Sequence, residues 1–504
     1  MCVRQTERTF TFYLVAMISA YLSVNSGRGA TQIPNEFWVS TSTNTGNLGT
    51  LSDPYDASTQ KLFDQVMTKM PPNCTIHLLS GTYQTLGTWQ ARSGGWAQVK
   101  SGQRIVGSGI DHTIIHLCRA GTGSYWFGTP GIASTNIELS DLTIDGAGTT
   151  NCDGVWLNGD HIVIRRIKVT NLASQNAEIF AIFILGGPGT SGGNIHRSEG
   201  NIIEECEVDL ADITWVSAIC LSGNSTNYAS GMVRNNRVLL GPYKPGLPLA
   251  GFNCGYDHDL LVEGNYVEGG NWGMYAEASF TNLMVHHNTF KNVGQGVYLY
   301  INGSTNVTCS FNTIELAASP RDAYAFLFEP PYSFKNVTII GNTIQFASHP
   351  ALRRSYALYA TTVSGVSFLN NVMDSQLLFV TEGSTGINVY NNSDLFGKAL
   401  AINQDPVHRV ARRTVSGSAT YLVDSTDRYI GIRNIALRSV SLPPATGWPG
   451  KEFVIVREDG GNFFTLLSRG GLINGTNNLA ITKGNSSLAA SATVISDGTN
   501  WYAR

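Results

Sequence analysis

The stretches "HHNTF" (286–290), "SFNTI" (310–314) and "IGNTI" (340–344) share a central Asn that is followed by Thr and a large apolar residue. Aligned on that Asn, the same frame recurs at intervals of 21 to 30 residues through the second half of the chain. Its central residues are Asn236, Asn265, Asn288, Asn312, Asn342, Asn371 and Asn392. Upstream, the frame also fits around Leu142, Ile167 and Cys206, where the central residue is no longer Asn.

Each repeat contains three short segments of alternating polarity and no helical period. One precedes the Asn, as in "LLVEG" (260–264), one follows it, and a third lies earlier, as in "GVYLY" (296–300). Three strands in about 25 residues is typical of one coil of a parallel β-helix, whereas a propeller blade needs about 40 residues or more. The spacing therefore predicts an all-β protein with about ten or more such coils.

The recurring Asn has a structural explanation. A turn between two strands favours a residue that tolerates left-handed backbone angles and that satisfies backbone polar groups. Repeated on every coil, the side chains would stack at the strand spacing of about 4.8 Å. We therefore predict a ladder of hydrogen-bonded amides along the coils.

The composition limits the classes of partner. Charged residues make up 14% of the 504 residues, and the net charge is −3. An average protein has about 25% charged residues. No basic excess points to nucleic acid as a partner.

The N-terminus resembles an export signal, with Arg4 and Arg8 ahead of the apolar run "FTFYLVAMISAYLSV". We expect residues 1–30 to be a signal peptide and the protein to be secreted or at the cell surface, with no membrane span after cleavage. Seven Cys follow without CxxC spacing, which is not a metal motif. We expect most of them to be buried thiols, with one or two disulfides as the alternative.

Both ends of the repeat region differ from it. Residues 55–70 have a helical period that places Leu62, Phe63, Val66 and Met70 on one face, and we predict a helical N-terminal cap there. After about residue 398 the strands alternate without the Asn period. The predicted domains are a β-helix with its cap at 31–398, a linker at 399–410 and a β-rich module at 411–504.

The stretch "TIHLLSGTYQTLGTW…GQRIVGSGI" (75–110), followed by "NIELSDLTIDGAG" and the Asn coils, resembles the pectate-lyase-like superfamily of right-handed parallel β-helices. The resemblance covers roughly residues 36–398. That superfamily includes lyases, hydrolases, epimerases, tailspikes and non-catalytic members, so the resemblance implies the fold and leaves the activity open. Neither the paired Asp signature of polygalacturonases nor a calcium-binding lyase cluster is apparent. The final module resembles end domains of phage tail fibres, which implies attachment or a homotrimer.

Alternation predicts a line of outward side chains on one strand of each coil. In "GMYAEAS", Met274 and Ala276 point inward if Tyr275 and Glu277 point outward. Flat rings and polar groups suit the apolar faces and the hydroxyl groups of sugars, so this line is a candidate polysaccharide-binding strip. Its predicted substrate-binding residues are Asn253, Trp272, Tyr275, Tyr298, Tyr300, Tyr359 and Lys291.

Two chemistries stay open for the strip. Hydrolysis that inverts the configuration at the anomeric carbon needs two carboxylates about 6.5–9.5 Å apart. Glu277 and Glu329, two coils apart, fit this roughly, and Asp257 or Asp259 is an alternative second carboxylate.

Elimination needs a base and a cation beside a uronate. His258, His286, His287 and Lys291 are the candidates, although alternation places one of His286 and His287 in the core. Asp145, Asp153 and Asp160 are candidate oxygen ligands for Ca²⁺ or, alternatively, plain turn residues. No other metal site is predicted.

These observations favour a secreted protein that binds, and as a lyase or glycoside hydrolase cleaves, an extended polysaccharide. The alternative is a non-enzymatic attachment protein whose C-terminal module assembles it.

Overall fold

The structure is a computed structural model. It describes residues 35–503 apart from 44–45, 88–97, 119–126, 129–133, 147–150, 175–177, 188–195, 211–212, 225–226, 245–246, 301–303, 318–322, 329–333, 347–354, 361–362, 375–377, 381–385, 387, 398–411, 416–419, 424–428, 433–438, 448–451, 458–462, 483–489 and 498. The predicted signal peptide, the linker and Glu329 lie outside the described residues. The chain forms two compact units, divided between Gly241 and Pro242.

The first unit contains eighteen described strands and one α-helix. They are β1 (Asn35–Ser40), β2 (Tyr55–Asp56), α1 (Gln60–Lys69), β3 (Cys74–Leu78), β4 (Gly81–Thr85), β5 (Arg104–Gly107), β6 (Thr113–Leu117), β7 (Phe127–Gly128), β8 (Ser134–Thr135), β9 (Glu138–Asp145), β10 (Val155–Asp160), β11 (Val163–Thr170), β12 (Ile179–Leu185), β13 (His196–Arg197), β14 (Asn201–Glu204), β15 (Glu207–Asp209), β16 (Val216–Ser222), β17 (Asn227–Arg234) and β18 (Arg237–Leu239).

The pairings between these strands are parallel and link successive coils. β11 pairs with β9 and with β15, and β12 pairs with β10 and β16. The frame positions Leu142, Ile167 and Cys206 are all buried. The apolar residues of the frame therefore form the core of this unit.

Helix α1 begins after Thr59, whose side chain accepts a hydrogen bond from the Leu62 N–H. Its buried side chains include Phe63, Val66 and Met67, whereas Leu62 is half-buried, so the buried face is rotated slightly from the expected one. The helix lies where the sequence predicted one. Its role as a cap stays a prediction.

The coils of the second unit each contribute three strands. They are β19 (Leu249–Gly255), β20 (Asp257–Glu263), β21 (Tyr266–Glu268), β22 (Trp272–Ala276), β23 (Phe280–His286), β24 (Thr289–Val293), β25 (Gln295–Leu299), β26 (Thr305–Ser310), β27 (Thr313–Leu316), β28 (Ala323–Phe328), β29 (Lys335–Ile340), β30 (Thr343–Phe346), β31 (Ser355–Ala360), β32 (Ser364–Leu369), β33 (Val372–Met373), β34 (Leu378–Val380), β35 (Asn388–Tyr390) and β36 (Ser393–Asp394).

Each strand pairs in parallel with its counterpart on the next coil. β22, β25, β28, β31 and β34 follow one another in one sheet, and β20, β23, β26, β29, β32 and β35 do so in another. Consecutive parallel strands of one sheet belong to different coils, which is the topology of a parallel β-helix. The predicted right-handed parallel β-helix is therefore the fold of this protein.

The central Asn residues of these coils are buried and hydrogen-bonded in succession. Asn288 donates from its backbone N–H and from Nδ2 to Asn312 Oδ1, at 2.9 and 3.0 Å. Its Nδ2 also donates to the Val262 carbonyl at 2.9 Å. The same bonds to the next Asn join Asn265 to Asn288, Asn312 to Asn342, Asn342 to Asn371 and Asn371 to Asn392. We call Asn265, Asn288, Asn312, Asn342, Asn371 and Asn392 the asparagine column.

The left-handed backbone conformation belongs to the residue before each column Asn, and not to the Asn as expected. Gly264, His287, Phe311, Gly341, Asn370 and Asn391 have φ between 53° and 69°. The turn thus points the Asn side chain inward, where its amide meets backbone groups, and leaves the preceding residue outside.

Beyond the coils, the structure describes nine further strands. They are β37 (Arg412–Val415), β38 (Thr420–Leu422), β39 (Tyr429–Ile432), β40 (Ser439–Leu442), β41 (Glu452–Arg457), β42 (Phe463–Ser468), β43 (Asn478–Thr482), β44 (Ser491–Ser496) and β45 (Trp501–Ala503), with a 3₁₀ helix at Ala445–Gly447.

These strands form two sheets around a core that contains Phe453, Phe464 and Trp501. The first pairings, β37–β39–β41 and β38–β40–β42, are parallel, and the last strands add in antiparallel fashion. The region is β-rich, as expected, while its predicted bounds stay predictions. No helix among the described residues has the length and apolarity needed to cross a membrane.

Candidate functional site

Aromatic side chains occupy the outward positions of the sheet that contains β22, β25, β28 and β31. The pairings place Trp272 beside Gln295, Gln295 beside Tyr324 and Tyr324 beside Tyr356. A second row has Tyr275 beside Tyr298, and it continues through Leu327 to Tyr359. We call Trp272, Tyr275, Tyr298, Tyr300, Tyr324, Tyr356 and Tyr359 the aromatic face.

Four of these rings form one contiguous group. Trp272 stacks on Tyr275 with ring centroids 4.7 Å apart, and Tyr275 lies 5.3 Å from Tyr298. Tyr298 lies 5.7 Å from Tyr300, which is 37% exposed. Trp272 Nε1 donates to Gln295 Oε1 at 2.9 Å. These contacts hold the rings in place while leaving them partly open to solvent.

A second group follows on the later coils. Tyr324 and Tyr356 stack at 5.0 Å with an interplanar angle of 8°, and both meet Tyr359 edge to face. Tyr356 is only 4% exposed, so it supports the neighbouring rings and offers little surface to a ligand. The sequence pattern predicted Tyr359 but missed Tyr324, Tyr356 and Gln295. Tyr356 lies three positions before the predicted Tyr359, and Tyr324 lies three positions before Leu327, its counterpart on the preceding coil.

The predicted inward and outward positions on β22 are confirmed. Met274 and Ala276 are buried, Tyr275 is half-buried and Glu277 is exposed. Asn253 pairs with Tyr275 as expected but is only 5% exposed, so it offers little surface to a ligand. Glu277 follows Ala276 at the end of the strand, beside Tyr300 of the next coil.

The other predicted catalytic residues do not join the aromatic face. His258 Nδ1 lies 2.9 Å from Asp259 Oδ2 on β20, which belongs to the other sheet. Asp259 Oδ1 also accepts a hydrogen bond from Asn282 Nδ2. Asn282, Asn306 and Asn336 continue this contact as an exposed row on successive coils. Asp259 is thus the first member of a structural row of polar side chains.

Asp257 lies in the interior and is not at the surface. Its side chain is fully buried, because the left-handed backbone at Tyr256 turns the next residue inward. Burial raises the pKa of this carboxyl well above its usual range, and the nearby backbone of Gly255 offsets this only in part. Because the side chain of Asp257 has no exposed surface, a polysaccharide could not contact this carboxyl, and the predicted role of Asp257 does not fit its position.

The predicted basic cluster is only partly assembled. The ring centroids of His286 and His287 are 3.9 Å apart. Lys291 lies on β24, and its Nζ forms an ion pair with Glu268 Oε1 of β21 at 3.2 Å. His258 pairs with Thr281 of β23, which lies five residues before His286. His258 and His286 are therefore about 16 Å apart along the strand direction. Neither His286 nor His287 is in the core, because the left-handed turn at His287 leaves both rings outside. Lys291 also lies on a different sheet from the aromatic face.

The first unit carries its own aromatic group. Phe183 lies 4.7 Å from Trp156 and 4.7 Å from Phe180. Asp153 accepts a hydrogen bond from the Phe180 N–H at 2.7 Å. Burial raises the pKa of Asp153 to about 7, and the negative charge of Glu178 adds to this shift. This shift was not predictable from "CDGVW" (152–156), which has the composition of an ordinary turn.

The predicted calcium ligands are not brought together. Asp145 lies beside His116 and accepts from Asn171, whereas Asp153 is buried beside Phe180. Within the part of the chain that the structure describes, one group offers three possible metal-ligand atoms within 4.8 Å of one another, and it is Glu263, His286 and His287. The seven described cysteines are free thiols, and all except Cys118 are buried.

No protein-family model matches the chain, and no curated protein sequence does so. Solved structures with a similar fold include a double mutant of the tailspike protein of E. coli bacteriophage HK620 in complex with a pentasaccharide. It has a TM-score of 0.45 and 11% identity over 92% of each chain. The A-module of a mannuronan C-5 epimerase of Azotobacter vinelandii has a TM-score of 0.39 and 16% identity over 64% of this chain and 90% of that one.

The pectate lyase Pel9A has a TM-score of 0.29 and 14% identity over 74% of this chain and 83% of that one. These similarities concern the fold alone.

Proposed function

We propose that the aromatic face binds an extended polysaccharide outside the cell. The observation that supports this most directly is the alignment of partly exposed rings at equivalent positions of successive coils. Tyr275 and Tyr359, which are both half-buried, are three coils apart, about 14 Å at the strand spacing. A surface of this length suits several consecutive sugar units, whose apolar faces pack on rings while their hydroxyls meet groups such as Gln295 and Glu277.

The test is a binding measurement by calorimetry on the purified protein, with a panel of neutral and uronate-containing polysaccharides. Replacing Tyr275 and Tyr298 together by Ala should weaken binding of the recognised glycan by about 10- to 100-fold, which is typical when central aromatic residues are removed from a binding surface. Phe396→Ala is the matched control, because Phe396 is 95% exposed and lies outside the aromatic face. Equal affinity of the two variants would overturn the proposal.

Cleavage of a polysaccharide is a second candidate, and Asp153 is the observation that favours it. A general acid must hold its proton near the working pH, and burial raises the pKa of Asp153 to about 7. Unlike Asp257, which has no exposed surface, Asp153 keeps an exposed fraction of 5%. Glu178, which accepts from Ser217 Oγ at 2.7 Å, would be the second carboxylate. This candidate concerns the first unit alone and is independent of binding on the aromatic face.

The same panel tests cleavage when reducing ends and the ultraviolet absorbance of unsaturated products are read together. Reducing ends alone would indicate hydrolysis, and both signals together would indicate elimination. If Asp153 is the acid, Asp153→Asn should lower the rate by about 100-fold or more, and the wild-type rate should fall as the pH rises through about 7. Activity retained by Asp153→Asn would exclude this residue, and Glu277→Gln would be the next variant.

Absence of any product, with binding intact, would favour the attachment protein. In that case we propose that the C-terminal strands assemble the chain, as the resemblance to tail-fibre ends implies, and light scattering would distinguish a trimer from a monomer. Export through removal of residues 1–30 is proposed on the basic and apolar pattern of the N-terminus. N-terminal sequencing of the mature protein tests it.

A further inference from the structure

Two histidines and a glutamate meet on the sheet that does not carry the aromatic face. Glu263 on β20 pairs in register with His286 on β23, and His287 follows directly. One ligand atom from each side chain lies within 4.8 Å of the other two. Glu263 and His286 are half-buried, and His287 is exposed.

The backbone explains why both rings lie on one side. In a regular strand, neighbouring side chains point to opposite faces. His287 has φ of 53°, which interrupts the alternation and lets the buried Asn288 take the inward position. The corresponding residue on the preceding coil is Gly264, which has no side chain to occupy the space beside His287.

Both rings are held by further contacts. His286 Nδ1 lies 2.8 Å from Ser310 Oγ, and His287 stacks on Phe311 at 5.3 Å. When Nδ1 donates to the serine, Nε2 has a free lone pair, and this is the usual arrangement of a histidine that ligates a metal.

We propose that Glu263, His286 and His287 bind a first-row divalent transition metal ion. Two imidazoles and a carboxylate suit Zn²⁺ and its neighbours better than Ca²⁺ or Mg²⁺, which prefer oxygen ligands. Metal bonds of about 2.0–2.1 Å bring donor atoms to about 3.3 Å of one another. Small side-chain rotations at this accessible surface would bring the three ligand atoms from their present separations of up to 4.8 Å to that distance. Three protein ligands would leave a fourth position for water or another ligand.

The test uses the full-length protein after chelator treatment, with Zn²⁺ titrated by calorimetry and Co²⁺ followed by visible absorption. We expect one ion per chain and a tetrahedral Co²⁺ spectrum. The double variant His286→Ala/His287→Ala and the single variant Glu263→Gln should each lose at least about 10-fold in affinity, and Ser310→Ala about 10-fold. His112→Ala is the control, since His112 is exposed and lies in the first unit.

Thermal unfolding without metal shows whether each variant still folds, and Glu263→Gln preserves the side-chain size. Stoichiometric binding that is lost in both ligand variants and kept in His112→Ala supports the site. No binding by the wild-type protein, or equal binding by all variants, overturns it. The result does not depend on whether the aromatic face binds a polysaccharide.

Discussion

The asparagine column and the aromatic face both repeat once per coil, but they differ in what their side chains touch. Column residues such as Asn312 are about 1% exposed, and their amides bond to backbone groups and to the next Asn. The rings of the face contact mostly one another, and several keep part of their surface open to solvent. Repetition alone therefore does not identify a functional surface, whereas repetition combined with exposure does.

The difference has an energetic basis. A buried polar group that loses its partner costs about 1–3 kcal/mol, because water cannot replace the bond. A half-exposed ring that is removed loses some packing but leaves no polar group unsatisfied. Column substitutions should thus lower the free energy of unfolding, and face substitutions should weaken ligand binding.

The largest expected effect is that of Asn312→Ala. The variant removes the acceptor of the Asn288 backbone N–H and Nδ2, and the donor to the Val285 carbonyl. The Asn288 N–H and the Val285 carbonyl would lose this partner inside the protein, while Asn288 Nδ2 would keep its bond to the Val262 carbonyl. We therefore expect a loss of about 3–5 kcal/mol in the free energy of unfolding, measured in urea. A loss below about 1 kcal/mol would contradict a structural role for the column.

The next effect is the loss of glycan affinity in the Tyr275→Ala/Tyr298→Ala variant. These rings are 5.3 Å apart at the centre of the first ring group, so their removal eliminates the middle of the proposed surface. We expect about a 10- to 100-fold weaker binding and a free energy of unfolding that changes far less than in Asn312→Ala. A variant that bound normally but unfolded easily would reverse the comparison between column and face.

Asp257→Asn tests a buried polar residue that differs from the column. Because the folded-state pKa of Asp257 is raised, the wild-type protein loses stability as the pH rises above about 4, the usual range of an unfolded Asp. Asn does not ionise, so the variant and the wild type should have the same free energy of unfolding near pH 4. At pH 8 the variant should be more stable than the wild type by about 1–2 kcal/mol. Urea unfolding at the two pH values measures this. A gain that is equal at both values would show that ionisation is not its cause.

The coil architecture was predictable because one residue type recurs at one structural position. Asn has a short amide side chain that fits this turn and bonds to the Asn of the next coil, so the same residue type recurs once per coil in the sequence. The inward and outward positions of Tyr275 and Met274 followed from simple alternation. The counterparts of Trp272 on later coils were missed because Gly273 and Met274 are both buried, which places the row of Trp272 three residues, and not two, before that of Tyr275.

The predicted site residues that lie away from the aromatic face have a different backbone environment. Asp257, Asp259 and His287 lie at or next to left-handed turns, where a single backbone angle decides which side of the sheet a side chain takes. Sequence alternation assumes extended backbone and cannot follow such a turn. The positive φ of His287, which sequence alternation does not predict, brings its side chain beside His286 and Glu263.

The smallest expected effect comes from the exposed row of polar side chains, which sharpens the comparison with the column. Asn306 donates from Nδ2 to Asn282 Oδ1 at 2.9 Å and accepts from Asn336, in the same manner as a column residue but in contact with water. Its φ of 56° requires a residue that tolerates the left-handed region, so Asn306→Gly tests the side chain without adding backbone strain. Water can satisfy the exposed partners, so we expect the free energy of unfolding in urea to change by less than about 0.5 kcal/mol. A loss as large as that of Asn312→Ala would mean that amide stacking itself, and not burial, is what makes an asparagine row stabilise the coils.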